Sequence, residues 1–127
     1  MVRKVKLRTA MAVASVALAI AWGSARADEV PIVTGKIWTE SSEQMKRSYL
    51  VGVVNVLQID TAYHADNPPS DAQSVIPRVV RGLKGHTLDS VVHGLDGWYA
   101  AHPDQLQRPV LETMWFELVV PGLEKNR

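Results

Sequence analysis

From Ser42 to about His64 the apolar residues Met45, Tyr49, Val53, Val56, Leu57 and Tyr63 recur mostly at three- and four-residue steps. That spacing predicts an α-helix, which turns once every 3.6 residues. Leu50, Val51, Val54 and Ile59 widen the stripe beyond one face, so the helix is expected to be covered on more than one side. Ser41 and Gln44 have capping-box spacing, in which the hydroxyl takes a free backbone N–H and the amide reaches back. Gly52 lies mid-helix, where glycine costs about 1 kcal/mol against alanine. It is read as a place where another backbone comes close.

A second clear pattern follows Thr87, a natural N-cap. Leu88, Val91, Val92, Leu95, Trp98 and Tyr99 share one face, and His102-Pro103 ends the helix. The opposite side carries Ser90, Gly94, Gly97 and Ala101, a row of small residues that permits close approach by the long helix or by a second molecule. A third helix is predicted from Pro109, proline being suited to the first helical position, with Val110, Leu111, Met114, Trp115 and Leu118 as its apolar face. Pro121-Gly122 is expected to stop it. A shorter helix running to about Leu83 is capped by Ser70 and Gln73 or, because Pro77 is tolerated only in a first turn, starts near Ile76.

Ala65 to Asp71, with Asn67, Pro68 and Pro69 at its middle, reads as a loop. Residues 28–38, interrupted by Pro31 and Gly35, read as an extended arm, with Val33, Ile37 and Trp38 able to cover an apolar groove. No run of period-two alternation argues for a sheet. The chain is therefore expected to be all-α: a small single-domain bundle of about four helices with an extended N-terminal arm. The helical domain occupies 39–121 and a flexible tail 122–127.

The first 27 residues change the picture of where this domain works. Arg3, Lys4, Lys6 and Arg8 precede an apolar stretch from about Ala10 to Trp22, followed by Ala25-Arg-Ala27. Basic start, short apolar middle and an A-x-A site predict a cleavable signal peptide, 1–27, and export to the periplasm, with secretion to the medium as the alternative. The apolar run is shorter than the ~20 residues that cross a bilayer, so no stable membrane span is expected in the mature chain. Five of the 14 basic residues and none of the 13 acidic ones lie in this segment, which leaves residues 28–127 acidic by four charges. An acidic domain without a basic cluster excludes nucleic acid as an expected partner. The chain has no cysteine, so no disulfide braces it and its core must suffice, or a partner or second copy must help.

Candidate chemistry is sparse. Asp89, His93 and Asp96 share one side of a helix at a spacing that metal sites use, yet no second histidine or cysteine completes a set. An exposed polar face explains them as well. His64, His86 and His102 are scattered over other elements. No G-x-S-x-G turn and no cysteine offers a nucleophile. No catalytic residue, metal site or cofactor is assigned. Tyr49, Trp98 and Trp115 are candidates to line an apolar pocket, and Ser90, Gly94, Gly97, Ala101, Asn67, Pro68 and Pro69 are candidate contact residues for a protein partner or a second copy.

Val75-Ile-Pro77, Thr87-Leu-Asp-Ser-Val-Val92, Trp98-Tyr-Ala-Ala-His-Pro103 and Pro109-Val-Leu-x-x-Met-Trp-x-x-Leu-Val-x-Pro121, with Tyr49-Leu-Val-Gly52 upstream, carry one resemblance. In order and spacing they are similar to periplasmic immunity proteins of the Tai/Rap type, small signal-bearing helical proteins that block peptidoglycan amidase toxins of type VI secretion. The paired cysteines that family typically carries near the positions of Ile76 and Pro121-Gly122 are absent here, and no inhibitory residue is carried over. The resemblance implies a non-enzymatic protein acting through a protein interface, with a cell-envelope hydrolase as the partner class. A periplasmic carrier of a small apolar molecule is the alternative, followed by a small envelope enzyme using Asp89 or His93.

Overall fold

Thr34 is where the chain turns from extended to helical. The structure, a computed structural model, describes residues 30–127. Residues 1–27, expected to be a signal peptide, and the first residues of the arm lie outside the described residues. Thr34 has extended backbone angles and pairs antiparallel with Pro109 in a single β-bridge. Beside it, the Val110 N–H donates to the Val33 carbonyl at 2.9 Å and the Gly35 N–H to the Arg108 carbonyl at 3.0 Å. The expected extended arm therefore stops at Thr34. Gly35–Glu40 form a short helix, α1. The reason lies far along the chain: the Tyr99 ring occupies the space where a side chain at position 35 would begin, so only glycine lets the helix start there. α1 then delivers Trp38 to the core, where it is fully buried.

The long helix α2 spans Glu43–Tyr63. Its cap falls one residue later than expected: the Ser42 hydroxyl accepts the Met45 N–H at 3.2 Å. Ser41 closes α1 instead, its hydroxyl donating to the Ile37 carbonyl at 2.6 Å. Two consecutive serines thus end one helix and begin the next. α3 spans Ile76–Gly82, with Pro77 in its first turn, the position that needs no N–H. Ser70 and Gln73 close a turn rather than a helix, the Gln73 side-chain oxygen accepting from the Ser70 N–H at 3.0 Å. Gly85, at φ +87°, makes the turn into α4, Leu88–Ala101. Thr87 caps α4 with the reciprocal pair expected of a capping box: Thr87 Oγ1 accepts the Ser90 N–H, and Ser90 Oγ accepts the Thr87 N–H.

The last helix runs past its predicted stop. α5, Val110–Met114, passes into a π-helical turn, Trp115–Val119, and then into α6, Val120–Lys125. The Val120 N–H donates to the Trp115 carbonyl, a five-residue step that shifts the ladder by one position. Pro121, which has no N–H, sits just after that shift, where it opens α6 instead of breaking a helix. The segment 122–127 is accordingly helical to Lys125 and not a free tail.

α4 is the central element. Its Val91, Val92, Leu95 and Tyr99 are buried against Leu50 and Leu57 of α2, Val79 of α3, Val110 and Met114 of α5, Val119 of the π turn, and Trp38 of α1. Each such aliphatic side chain taken from water stabilises the fold by about 1.5–3 kcal/mol. The result is the expected all-α domain. Among the described residues no helix is long and apolar enough to cross a membrane.

Candidate functional site

The C-terminal half of α2, the end of α3 and the start of α4 meet only at their inner edges. An open groove of about 730 Å3 lies between them. Leu50, Val53, Leu57, Leu83, Val91 and Met114 form its floor and walls. Val51, Val54 and Val80 stand at its rim, each about two-fifths exposed. The lining contains no Asp, Glu, Lys or Arg and no benzenoid or indole ring. Its polar members are largely occupied within the chain. Thr61 Oγ1 donates to the Leu57 carbonyl at 2.8 Å, Thr87 caps α4, and His86 Nδ1 lies 3.1 Å from Ser90 Oγ. Such a surface can hold aliphatic groups by excluding water and has little with which to hold a charged one.

Tyr49, Trp98 and Trp115 do not line this groove. That expectation is corrected, because each ring has a nearer partner. Tyr49 meets Trp38 edge-on at 6.3 Å. Trp98 stacks on His102 at 4.2 Å, and the Arg108 guanidinium lies over it at 4.6 Å and over Phe116 at 5.3 Å. Trp115 lies beneath the Arg78 guanidinium at 5.1 Å. Cation–π contact of this kind suits a flat guanidinium at a half-buried site. Arg108 also pairs with Glu117 at 3.1 Å.

The small-residue row on α4 is split. Gly94 packs under Leu118 of the π turn, where an added methyl group would stand 3.0 Å from Leu118 Cδ2. Ser90 is engaged in the cap, while Gly97 and Ala101 are exposed. α2 packs on a different side of α4. Asn67 and Pro68 are exposed in the loop, and Pro69 is half-buried.

The acidic candidates serve packing between helices. Asp96 Oδ1 accepts from Trp38 Nε1 at 2.7 Å and from Lys46 Nζ at 2.9 Å, tying α4 to α1 and α2 at one carboxylate. Asp89 pairs with Arg47, which also pairs with Glu43 at 2.9 Å. These two carboxylates raise the Arg47 guanidinium pKa above its ordinary value. His93, which lies between Asp89 and Asp96 along α4, is exposed. His64 Nδ1 lies 3.0 Å from the Asp60 carbonyl and His102 Nδ1 2.7 Å from the Trp98 carbonyl. Among the described residues no group of three or more His, Asp and Glu side chains is placed to hold a metal ion.

One buried polar chain matters for stability. The Tyr99 hydroxyl donates to the Arg108 carbonyl at 2.8 Å, so the buried Thr113 hydroxyl, 2.9 Å away, donates to Tyr99. Burial raises the Tyr49 and Tyr99 phenols above the usual 10.0. In the unfolded chain these phenols ionise near pH 10, while in the folded chain they resist. Their contribution is therefore complete below about pH 10 and is lost as pH rises through the folded value. Denaturant midpoints are expected to fall above pH 10, and less steeply in Tyr99→Phe. Equal slopes in the two proteins would remove Tyr99 from this account.

Comparison with protein families, with characterised proteins and with solved structures finds no match to this chain. What fold and groove define is a class: a small all-α domain that presents an aliphatic groove between three helices. Sequence reasoning missed the groove because its walls come from three separate segments. The available signal was the excess of apolar residues on α2, more than one buried face requires.

Proposed function

We propose that this protein is an exported, non-enzymatic binding protein whose α2–α3–α4 groove receives an aliphatic element of a protein partner, in the manner of an immunity-type inhibitor of a cell-wall hydrolase. The groove carries this reading. It is open and aliphatic, rimmed by valines and free of formal charge, as expected of a surface that seats apolar anchors of another protein. Export is motivated by the basic, apolar and A-x-A order of residues 1–27.

The test is capture from periplasmic extract, with the wild type and a rim variant, Val54→Arg, as baits. Val54 is 40% exposed, so the variant is expected to fold normally. It also places a charge where the partner must be desolvated, which should weaken binding at least ~30-fold, about 2 kcal/mol. A hydrolase retained in equimolar amount by the wild type, lost by the variant, and inhibited on peptidoglycan when the wild type is added supports the proposal. Equal retention by both baits would place the contact elsewhere.

The groove volume of about 730 Å3 also falls in the ~300–1,000 Å3 range of small-molecule sites, which favours a carrier of an apolar molecule as the second reading. Native mass spectrometry separates the two. A co-purifying small apolar ligand that is lost in Val54→Arg supports the carrier.

A further inference from the structure

α2 bears a second apolar line that no other element among the described residues covers. Met45, Gly52, Val56, Ile59 and Tyr63 follow at steps of seven, four, three and four residues. At about 100° per residue they fall within ~40° of one direction, well over 90° from the inward-facing Leu50 and Leu57. Met45 is 62% exposed, Val56 60%, Ile59 74% and Tyr63 85%. At Gly52 nothing among the described residues lies within 4 Å of where a Cβ would stand. The line contains no charged residue and extends for about 27 Å. Single exposed apolar residues are ordinary, but four aligned on one helix face, three of them on successive turns from Val56 to Tyr63, mark an interaction surface.

The occupant follows from the stripe's own symmetry and area. A two-fold interface must place one patch against itself. With two α2 helices antiparallel about residue 54, Met45 falls opposite the partner's Tyr63, and Gly52 opposite the partner's Val56. Large meets large at the ends, and at the middle a missing side chain receives a valine. A parallel pairing would set glycine against glycine and leave a void. Four side chains exposed to this degree present on the order of 500 Å2 on each copy before Ser48, Asn55 and Gly52 are counted, approaching the ~800 Å2 per partner of a specific complex.

We propose that this protein forms a closed two-fold dimer through Met45, Gly52, Val56, Ile59 and Tyr63, with its α2 helices antiparallel and in register about residue 54. The groove lies on another side of α2, so the dimer stands whether or not the groove has the function proposed above.

The chain has no cysteine, which makes the register directly testable. In the exported, processed protein, the double variant Met45→Cys/Tyr63→Cys is expected to oxidise to a covalent dimer. Within one chain the two sites lie ~27 Å apart on one helix and cannot form a disulfide. Gly52→Arg, at a position with open space around it, is expected to fold at least as stably as the wild type, because arginine is the better helix former, and to weaken dimerisation at least a hundredfold in sedimentation equilibrium. Several results would overturn the proposal. One is a wild type that stays monomeric near ~100 μM. Others are a Met45→Cys single variant that cross-links as well as the double, a ladder of higher oligomers in the double variant, or a dimer unchanged by Gly52→Arg.

Discussion

Gly122→Ala is expected to destabilise the domain by about 3 kcal/mol or more, lowering the melting temperature by roughly 15 °C for a chain of this size. At this point the backbones of α3 and α6 touch. A methyl group at position 122 would run into the Gly82 carbonyl, and one at position 82 would meet the backbone and side chain of Val119. Neither clash can be relieved by turning a side chain, because backbone is on the receiving end. The helices would have to part, exposing Val119 and Val79, which are buried beside them. Gly97→Ala provides the contrast. Gly97 is exposed on α4 with nothing within 4 Å of its Cβ position, so alanine there is expected to stabilise by about 1 kcal/mol through helix propensity alone. Thermal and denaturant melts of the two variants check both signs. A Gly122→Ala protein as stable as wild type would mean that α3 and α6 are not in contact.

Trp38→Ala is expected to be nearly as severe, about 3–5 kcal/mol. Trp38 is 1% exposed and is the main group that fastens α1 to the bundle. Its removal would open a cavity beside Tyr49 and take one hydrogen-bond donor from Asp96, which would keep Lys46. Trp98→Ala is expected to lose about half as much or less, since Trp98 is half-buried and packs on His102 and Arg108 at the surface. Comparable losses in the two variants would contradict the placement of Trp38 at the centre.

The parts of the fold legible in the sequence are those set by neighbouring residues. Thr87 caps α4 because its hydroxyl reaches an N–H only three residues on. Pro77 marks the start of α3 because proline restricts its own turn. The buried face Val91, Val92, Leu95 and Tyr99 follows from helical period alone. The Ser41 cap was misread by one position because two adjacent serines satisfy the same local rule, and only the end of α1 decides between them. The site was less legible. Tyr49, Trp98 and Trp115 share apolar character but not a cavity, since ring partners such as Trp38 and Arg108 arrive from other segments. Gly94, read as part of a docking row, seats Leu118 of the same chain.

By itself, then, the sequence determined an all-α domain, three of its helices and the Thr87 cap, because capping, proline geometry and a 3.6-residue period act within a turn or two. The tertiary structure alone decided four other features. These are the helix at Gly35, the π turn that carries the chain through Pro121, the groove between α2, α3 and α4, and the side of α2 left uncovered. Each depends on residues distant in sequence. Tyr99 excludes a side chain at position 35, the Gly82 backbone meets Gly122, and three helices fill only the inner edges of their shared space. Local periodicity shows which side chains leave water; the packing of whole helices decides which of them find a partner in the same chain.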